Sequence, residues 1–306
     1  MVSILIITYN QEKFIAQAIE GALAQKTNFP FHIYIGDDAS ADNTSSIVAD
    51  YKKKFPDKIT HIKNEKNLGV QKNFIQLYSY AKTKYVAFCE GDDYWIDSYK
   101  LQIQIDFLEK NPDYSISAHR ARIHSNQQLT NEYLPILNEN AIYTQSDFLK
   151  GNRIVTATVV FRNILPSFPI WMEKAFPVDY CLWLMLTNNS QKVMYYNSAM
   201  AVYRIHEGGV WSTHDPTKFL QKIAFTMLNC ARYLHIGDRQ FIQKNLKKLY
   251  RSVIAAGYKD ISRKTYLGLV IWAITHYRFS LKDILKMLTP KVRERLKFRK
   301  KLAVIL

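Results

Sequence analysis

The feature that most constrains this chain is a rhythm. Over the first 120 residues, short β-branched runs alternate with stretches of helical periodicity, and most of the runs stop at polar or acidic residues. Val2 to Ile7 reads as a buried strand running into Thr8-Tyr9-Asn10. Phe31 to Gly36 ends at Asp37-Asp38, Ile59 to Lys63 is a third strand, and Tyr85 to Cys89 ends at Glu90-Gly91-Asp92-Asp93. Between them, Glu12 to Gln25 carries Phe14, Ile15, Ala18, Ile19, Ala22 and Leu23 at helical spacing. Further helices are expected from an Asp42 cap to Phe55, over Gly69 to Ala81, and from Asp97 to Lys110, where Asn111-Pro112 stops the chain. Such alternation predicts an α/β fold: a mostly parallel sheet flanked by helices, with right-handed crossovers. Ligands of such sheets sit beyond the carboxyl ends of the strands, where these acids collect.

Past residue 113 the rhythm loosens. Tyr114 to Ile123 and Val155 to Phe161 read as strands, and Phe176 to Thr187 as a turn leading into a helix with Asp179 at its start. Val193 to Tyr196 and Ala199 to Tyr203 are short strands leading to Arg204-Ile205-His206-Glu207-Gly208-Gly209. From Pro216 onward the pattern is helical, with Phe219, Leu220, Ile223, Met227 and Leu228 on one stripe. Phe241, Ile242, Leu246, Leu249, Val253 and Ile254 form another.

Charge divides the chain where the pattern does. Of the net +16, residues 1–214 contribute zero (21 Lys+Arg against 21 Asp+Glu) and residues 215–306 all of it (21 against 5). The expected organisation is a neutral body over 1–214 and a basic α-helical region over 215–306. With 48% hydrophobic residues the chain can bury a sizeable core. Three scattered cysteines exclude a disulfide scaffold or a thiolate zinc finger and suit a reducing compartment. No secretory leader is read at the start. The longest charge-free apolar stretch, Thr265 to Tyr277, has 13 residues, short of the roughly 18 to 20 that a span requires. Lys282 to Lys301 interleaves nine basic residues with Leu281, Ile284, Leu285, Leu288, Leu296 and Phe298. That composition suits a helix lying on an anionic bilayer or a solvated helical face. No nucleic-acid motif accompanies the charge, and no nucleic-acid partner is expected.

Asp92 and Asp93 are adjacent, with Glu90 just before them. Neighbouring carboxylates repel unless a cation or hydroxyl groups compensate. Hard oxygen donors on a loop suit Mn²⁺ or Mg²⁺ bridging to phosphate oxygens, and equally suit a solvated turn. Asp179 reads either as a helix cap or as a base, and His206 as a metal ligand or a hydrogen-bonded loop residue. Trp95 and Trp211 would border a ligand or pack in the core.

Three ordered motifs go further. Ser3-Ile4-Leu5-Ile6-Ile7-Thr8-Tyr9-Asn10, then Ile35-Gly36-Asp37-Asp38-Ala39-Ser40-Ala41-Asp42-Asn43-Thr44, then Glu90-Gly91-Asp92-Asp93-Tyr94-Trp95 resemble family 2 glycosyltransferases. The resemblance runs from Val2 to about Ser212. It implies a GT-A fold of non-processive bacterial type. Thr8, Tyr9 and Asn10 would then line the nucleotide, and Asp38 would accept from its base. Asn67, Gly69 and Asn73 match the following loop and helix. Asp92 would contact the ribose, Asp93 and His206 would ligate Mn²⁺ or Mg²⁺, Arg204 would face the diphosphate, and Asp179 would be the catalytic base. The chain departs from the family at Ile7, where a proline is usual, at Ala39, where a glycine is usual, and at Glu90, where an aspartate is usual. The QxxRW motif of processive synthases is absent.

The function implied is a metal-dependent, inverting transfer of one sugar from a nucleotide-sugar, UDP-linked by default. The acceptor would be a hydroxyl of a glycan or lipid-linked glycan, in bacterial surface polysaccharide biosynthesis. The expected location is cytoplasmic, peripheral on the inner face of the cell membrane. Two alternatives remain open at this point. One is a nucleotidyltransferase, whose Gly-rich phosphate loop would stand where Thr8-Tyr9-Asn10-Gln11-Glu12 stands. The other is a catalytically degenerate protein binding membrane or nucleic acid through its basic tail.

Overall fold

The computed structural model describes residues 2–125, 128–134, 139–209 and 216–256, with 267, 268, 271 and 275. Two compact units divide the chain: Met1–Glu173 with Val178–Thr213, and Lys174–Pro177 with His214–Leu306.

In chain order the first unit contains β1 (Val2–Thr8), α1 (Ile15–Leu23), β2 (Phe31–Asp37), α2 (Thr44–Lys54), β3 (Ile59–Lys63), α3 (Val70–Tyr78), β4 (Tyr85–Glu90), β5 (Tyr94–Trp95), α4 (Lys100–Lys110) and β6 (Tyr114–Ser125). There follow β7 (Gln128–Leu134), β8 (Ala141–Tyr143), α5 (Gln145–Lys150), β9 (Val160–Arg162), α6 (Val178–Leu186) and β10 (Lys192–Ile205). One sheet holds every strand, in the order β3-β2-β1-β4-β9-β6-β10-β5, with β7 beside β6 and β8 beside β10. The long ladders β1–β2, β1–β4, β2–β3 and β6–β10 are parallel, and the antiparallel pairings through β5, β7, β8 and β9 are short.

The reason for the parallel half lies in its side chains. β1 is a continuous apolar run, and Val2, Ile4, Leu5 and Ile6 are all fully buried, as a strand covered on both faces demands. α1 lays Ile15, Ala18, Ile19 and Ala22 on the sheet. The strand order reverses at β1, which pairs β2 on one side and β4 on the other, and a crevice opens at such a point. Two glycines make the close approaches there. A Cβ on Gly91 would lie 2.4 Å from Gln11 Oε1 and 2.8 Å from Thr8 Oγ1, and one on Gly36 would lie 2.9 Å from Asn73 Oδ1.

Several boundaries differ from the sequence expectation. α2 begins at Thr44 and α4 at Lys100, because Asp42 and Asp97 spend their carboxylates on the turns before them. Asp42 Oδ1 accepts from Thr44 N at 3.0 Å and Asp97 Oδ1 from Tyr99 N at 2.7 Å. Val155 to Phe161 is not one strand. Thr156–Thr158 is a 3₁₀ turn, with the Thr158 hydroxyl on Val155 O at 2.6 Å, and β9 follows it. The two short strands expected between Val193 and Tyr203 are one strand, β10, which absorbs irregularities near Tyr196 and Ala199 and stays paired with β6.

In the second unit, α7 (Pro216–Tyr233) and α8 (Arg239–Ala256) pack together. Ala224, Met227, Leu228 and Ala231 on the first and Phe241, Ile242 and Leu246 on the second are buried. The expectations for Trp211 and for Lys282 to Lys301 fall outside the described residues, as does most of Thr265 to Tyr277. Among the described residues, no helix is long and apolar enough to cross a membrane.

Candidate active site

At the carboxyl ends of β1 and β2 the loops are laced together. Asn10 sits in the left-handed region (φ 53°), and its Oδ1 accepts from Ala41 N at 2.8 Å while its own N–H donates to Ser40 Oγ at 3.0 Å. Thr8 Oγ1 donates to Gln11 Oε1 at 2.8 Å, and Gln11 N donates to Thr44 Oγ1 at 2.8 Å. Tyr9 is 46% exposed at this edge. Beside it lies an open cleft of about 530 Å³ lined by Ala39, Ser40, Ala41, Lys63, Asn64 and Glu65.

Asp38 does not face that cleft as an open acceptor. It is buried, and its carboxylate accepts from Asn64 Nδ2 at 2.9 Å, Leu68 N at 2.8 Å and Gly69 N at 2.8 Å. These bonds tie it to the loop after β3. Asn67 Oδ1 accepts from Gly69 N at 3.0 Å, and Gly69 supplies a φ of 86° that suits glycine. Asn73 is likewise buried, with Nδ2 on Gly36 O at 2.9 Å. Asp37 takes Ser40 N at 3.0 Å and has His61 Nε2 at 3.7 Å. Burial alone would raise its carboxyl, but the nearby His61 ring and the hydrogen bond from Ser40 outweigh it and hold the group well below the usual range.

The second cluster is built by β4, β5 and β10. β10 runs antiparallel to β5 with Val202 opposite Tyr94, so Tyr203 and Arg204 continue past the strand toward Asp93 and Asp92. Arg204 N donates to Asp93 Oδ1 at 2.8 Å, and its guanidinium donates to the Asp92 carbonyl and to Gln17 Oε1. The guanidinium is sandwiched between the rings of Tyr94 (4.3 Å) and Phe14 (5.1 Å). Arg204 thus clamps the acid loop and is only 8% exposed. Two residues later, His206 Nε2 lies 3.0 Å from Asp92 Oδ2, its ring packed on Phe14 at 4.8 Å.

His206 therefore meets Asp92, whereas Asp93, which the resemblance implied as a metal ligand alongside His206, accepts from the β10 backbone. Asp93 is buried and turned to the β10 backbone, while Asp92, in the turn between β4 and β5, is part-exposed. Burial and the charges of Asp92 and Glu90 push Asp93 well up. Burial, with the charges of Asp92 and Asp179, pushes Glu90 up to about 8, and its Oε2 is buried with no hydrogen-bond partner. These residues fit a divalent cation. A part-exposed carboxylate oxygen and an imidazole nitrogen 3.0 Å apart have the spacing of neighbouring ligands about 2.1 Å from an octahedral ion. No group of three His, Cys, Asp or Glu side chains among the described residues is placed to hold one. Waters and substrate phosphate would complete such a shell, as is usual for Mg²⁺.

Asp179 opens α6, whose other eight residues are all buried. Its Oδ2 accepts from Thr156 Oγ1 at 2.9 Å. Burial raises its carboxyl against that hydrogen bond. Trp95 proves to be a core residue, 4% exposed, with Nε1 on Ala157 O at 2.8 Å and the Lys100 ammonium 4.2 Å above its ring. The residues missed from sequence are Phe14, Gln17, Tyr94 and Thr156. Phe14 carried a signal as an apolar position on α1's predicted inner face, and Tyr94 as a member of the third motif; Gln17 and Thr156 carried none.

Residues 3–166 match the sequence profile of glycosyl transferase family 2, which is more than half of the chain. The chain belongs to that family. An uncharacterized Mycobacterium tuberculosis protein is 35% identical over 209 residues, 68% of this chain and 60% of that protein. The chain thus spans about 60% of the length of these mycobacterial relatives. The Escherichia coli UDP-Glc:alpha-D-GlcNAc-diphosphoundecaprenol beta-1,3-glucosyltransferase WfaP is 32% identical over 212 residues, 69% of this chain and 79% of that enzyme. In fold, this family 2 protein is similar to Staphylococcus aureus TarS 1–349 in complex with UDP-GlcNAc. The TM-score is 0.63 at 18% identity, covering 90% of this chain and 80% of that one. It is also similar to the mannosyltransferase PcManGT of Pyrobaculum calidifontis in complex with GDP-Man and Mn²⁺. There the TM-score is 0.53 at 15% identity, covering 90% and 81%. The fold is the GT-A fold.

Proposed function

We propose that this protein transfers a single sugar from a nucleotide-sugar, UDP-linked by default, to a hydroxyl of a glycan or lipid-linked glycan, with a divalent ion and inversion at the sugar carbon. The observation that carries this is the Asp92–His206 pair beside Asp179 on the carboxyl edge of a family 2 sheet. TarS in its complex with UDP-GlcNAc, PcManGT with GDP-Man and Mn²⁺, and WfaP with its lipid-diphosphate acceptor support the donor, metal and acceptor classes.

Thr8, Tyr9 and Asn10, with Asn67 and Gly69, frame the nucleotide cleft. Asp38 acts on it indirectly, by fixing the loop that carries Asn67 and Gly69. Asp92 and His206 would hold Mn²⁺ or Mg²⁺, which when bound neutralises the charge that develops on the departing diphosphate. Asp93 and Arg204 keep Asp92 in place from beneath. Asp179 accepts the acceptor's proton as the hydroxyl oxygen attacks the anomeric carbon. The bond to the phosphate oxygen breaks, and its electron pair leaves with the nucleoside diphosphate. Attack on the face opposite the leaving group inverts the carbon.

Residues 1–214 would form the catalytic domain and 215–306 a basic helical region that lies on the anionic inner face of the cell membrane, in surface polysaccharide biosynthesis. Deleting residues 291–306 should release the protein from anionic vesicles, most clearly at low salt, and unchanged binding would remove the tail from this reading. The central test is thermal shift against nucleotide-sugars with and without Mn²⁺, since a ligand of the native state raises its melting temperature by mass action. A UDP-sugar that stabilises only with metal is the expected result. Indifference to every nucleotide-sugar, metal present or not, overturns the proposal.

A further inference from the structure

We propose that Thr156 is a positioning residue for the reaction, its hydroxyl selecting which carboxylate oxygen of Asp179 is turned to the acceptor. The inference rests on the reading of Asp179 as the base. The hydroxyl donates to Asp179 Oδ2 at 2.9 Å, backbone N–H groups at the start of α6 also act on the carboxylate, and the oxygen that Thr156 does not hold is the one assigned to the proton. Nothing else about Asp179 needs to be adjustable. Val178 and the seven residues from Tyr180 to Leu186 are all buried, so α6 cannot turn about its axis, and the carboxylate's freedom is reduced to its own side-chain torsions.

Thr156 itself is held through the two residues that follow it. The carbonyl of the next residue, Ala157, accepts from the buried Trp95 indole at 2.8 Å, and the carbonyl of Thr158 accepts from Gln104 Nε2 at 3.0 Å. Gln104 in turn accepts from the fully buried Lys100 ammonium at 2.8 Å and donates to Ser117 O at 2.7 Å. A short 3₁₀ turn on the surface would be mobile. This one is tied by side chains of α4 and β5 that have no other visible business with the site. A base must stand within hydrogen-bond reach of its proton, and misplacement by about 1 Å can cost on the order of a hundredfold in rate. The turn and its supports supply that placement.

Two other groups face Asp179. Glu90 at the end of β4 and Tyr203 on β10 both interact with it electrostatically, and Thr156 acts on Glu90 as well, opposing the rise of its carboxyl. Burial raises the Asp179 carboxyl and the Thr156 hydrogen bond opposes it, so loss of the hydroxyl should move its titration to higher pH.

The experiment compares Thr156→Val, Thr156→Ser and Asp179→Asn with wild type. UDP release from UDP-glucose and UDP-N-acetylglucosamine in Mn²⁺, with water as acceptor, reads the rate. The Asp179 side-chain carboxyl ¹³C resonance, followed against pH without nucleotide or metal, reads the hydrogen bond. Thr156→Val should lower kcat about tenfold or more with KM for donor unchanged, and should move the carboxyl titration upward. Thr156→Ser should restore both. An unchanged titration in Thr156→Val overturns the inference, as does a Thr156→Ser variant as slow as Thr156→Val. Should Thr156→Val fail to fold, Thr156→Ala carries the same comparison. Wild-type turnover in Asp179→Asn would instead remove the base reading, whatever the titration shows.

Discussion

The two acidic clusters at the rim of the sheet are built on opposite principles. Asp37 and Asp38 end β2 among donors. Asp38 accepts from one side-chain and two backbone N–H groups, and Asp37, although its Oδ2 has no hydrogen-bond partner, is held low by His61 and Ser40. Glu90, Asp93 and Asp179 stand together with too few donors, and burial pushes all three up. Carboxylates that their surroundings keep ionised make architecture. Carboxylates left short of compensation, close to a part-exposed Asp92 and His206, make a place for something positively charged.

The sharpest way to break this contrast is at the second cluster. Asp92→Ala or His206→Ala should abolish the Mn²⁺-dependent part of donor stabilisation in thermal shift and reduce turnover at least about a hundredfold, while melting without ligand stays near wild type. Unaltered metal dependence in both variants would place the ion elsewhere.

The complementary change at the first cluster is one of stability. Asp38→Ala strands the amides of Leu68 and Gly69 and the Asn64 side chain. It should cost about 2–4 kcal/mol, because several hydrogen bonds to a buried charge are lost together. Urea denaturation of Asp38→Ala beside Asp92→Ala measures the difference directly. Equal stabilities would erase the distinction between the clusters.

Asp37 gives the contrast a pH signature. Its folded pKa lies below the unfolded value of about 3.9, so its contribution is complete above that value. It is lost as pH falls through the unfolded value toward the folded one. Asp37→Asn should therefore be less stable than wild type at neutral pH, and the gap should close as pH drops below about 4. Denaturation midpoints from pH 3 to 7 test this, and a gap independent of pH would contradict it.

The smallest effect concerns backbone alone. Ala39 holds φ 59° in the turn after Asp38, a conformation that glycine adopts without its Cβ penalty. Ala39→Gly should raise stability by roughly 0.5–1 kcal/mol. A loss of stability would show that Ala39 packing against the cleft outweighs the strain.

Much of this was legible in the residues themselves. The run from Val2 to Thr8 can only be a strand buried on both faces, and α1's apolar spacing can only face a sheet, so the parallel half follows from periodicity. The acids at the strand ends follow from where the periodicity stops. β5, β7, β8 and α5 were not legible. β5 is two residues long, β7 is largely exposed and polar, and α5 announces itself only through the Thr144–Asp147 capping box. The break at Thr156 was hidden because Val155 to Phe161 is uniformly β-prone, and a 3₁₀ turn there is imposed by Trp95 and Gln104 from outside the segment.

By itself, then, the order of residues determined which side chains would gather at the sheet's edge, because strand length and hydrophobic period are local properties. Which of them face one another was decided only by the fold. The choice of Asp92 over Asp93 for His206 depends on the register of β10 against β5, between residues more than a hundred positions apart, and the grip of Thr156 on Asp179 depends on a turn held by α4 and β5. Register and packing are set by partners distant in the chain, and a local pattern carries no record of them.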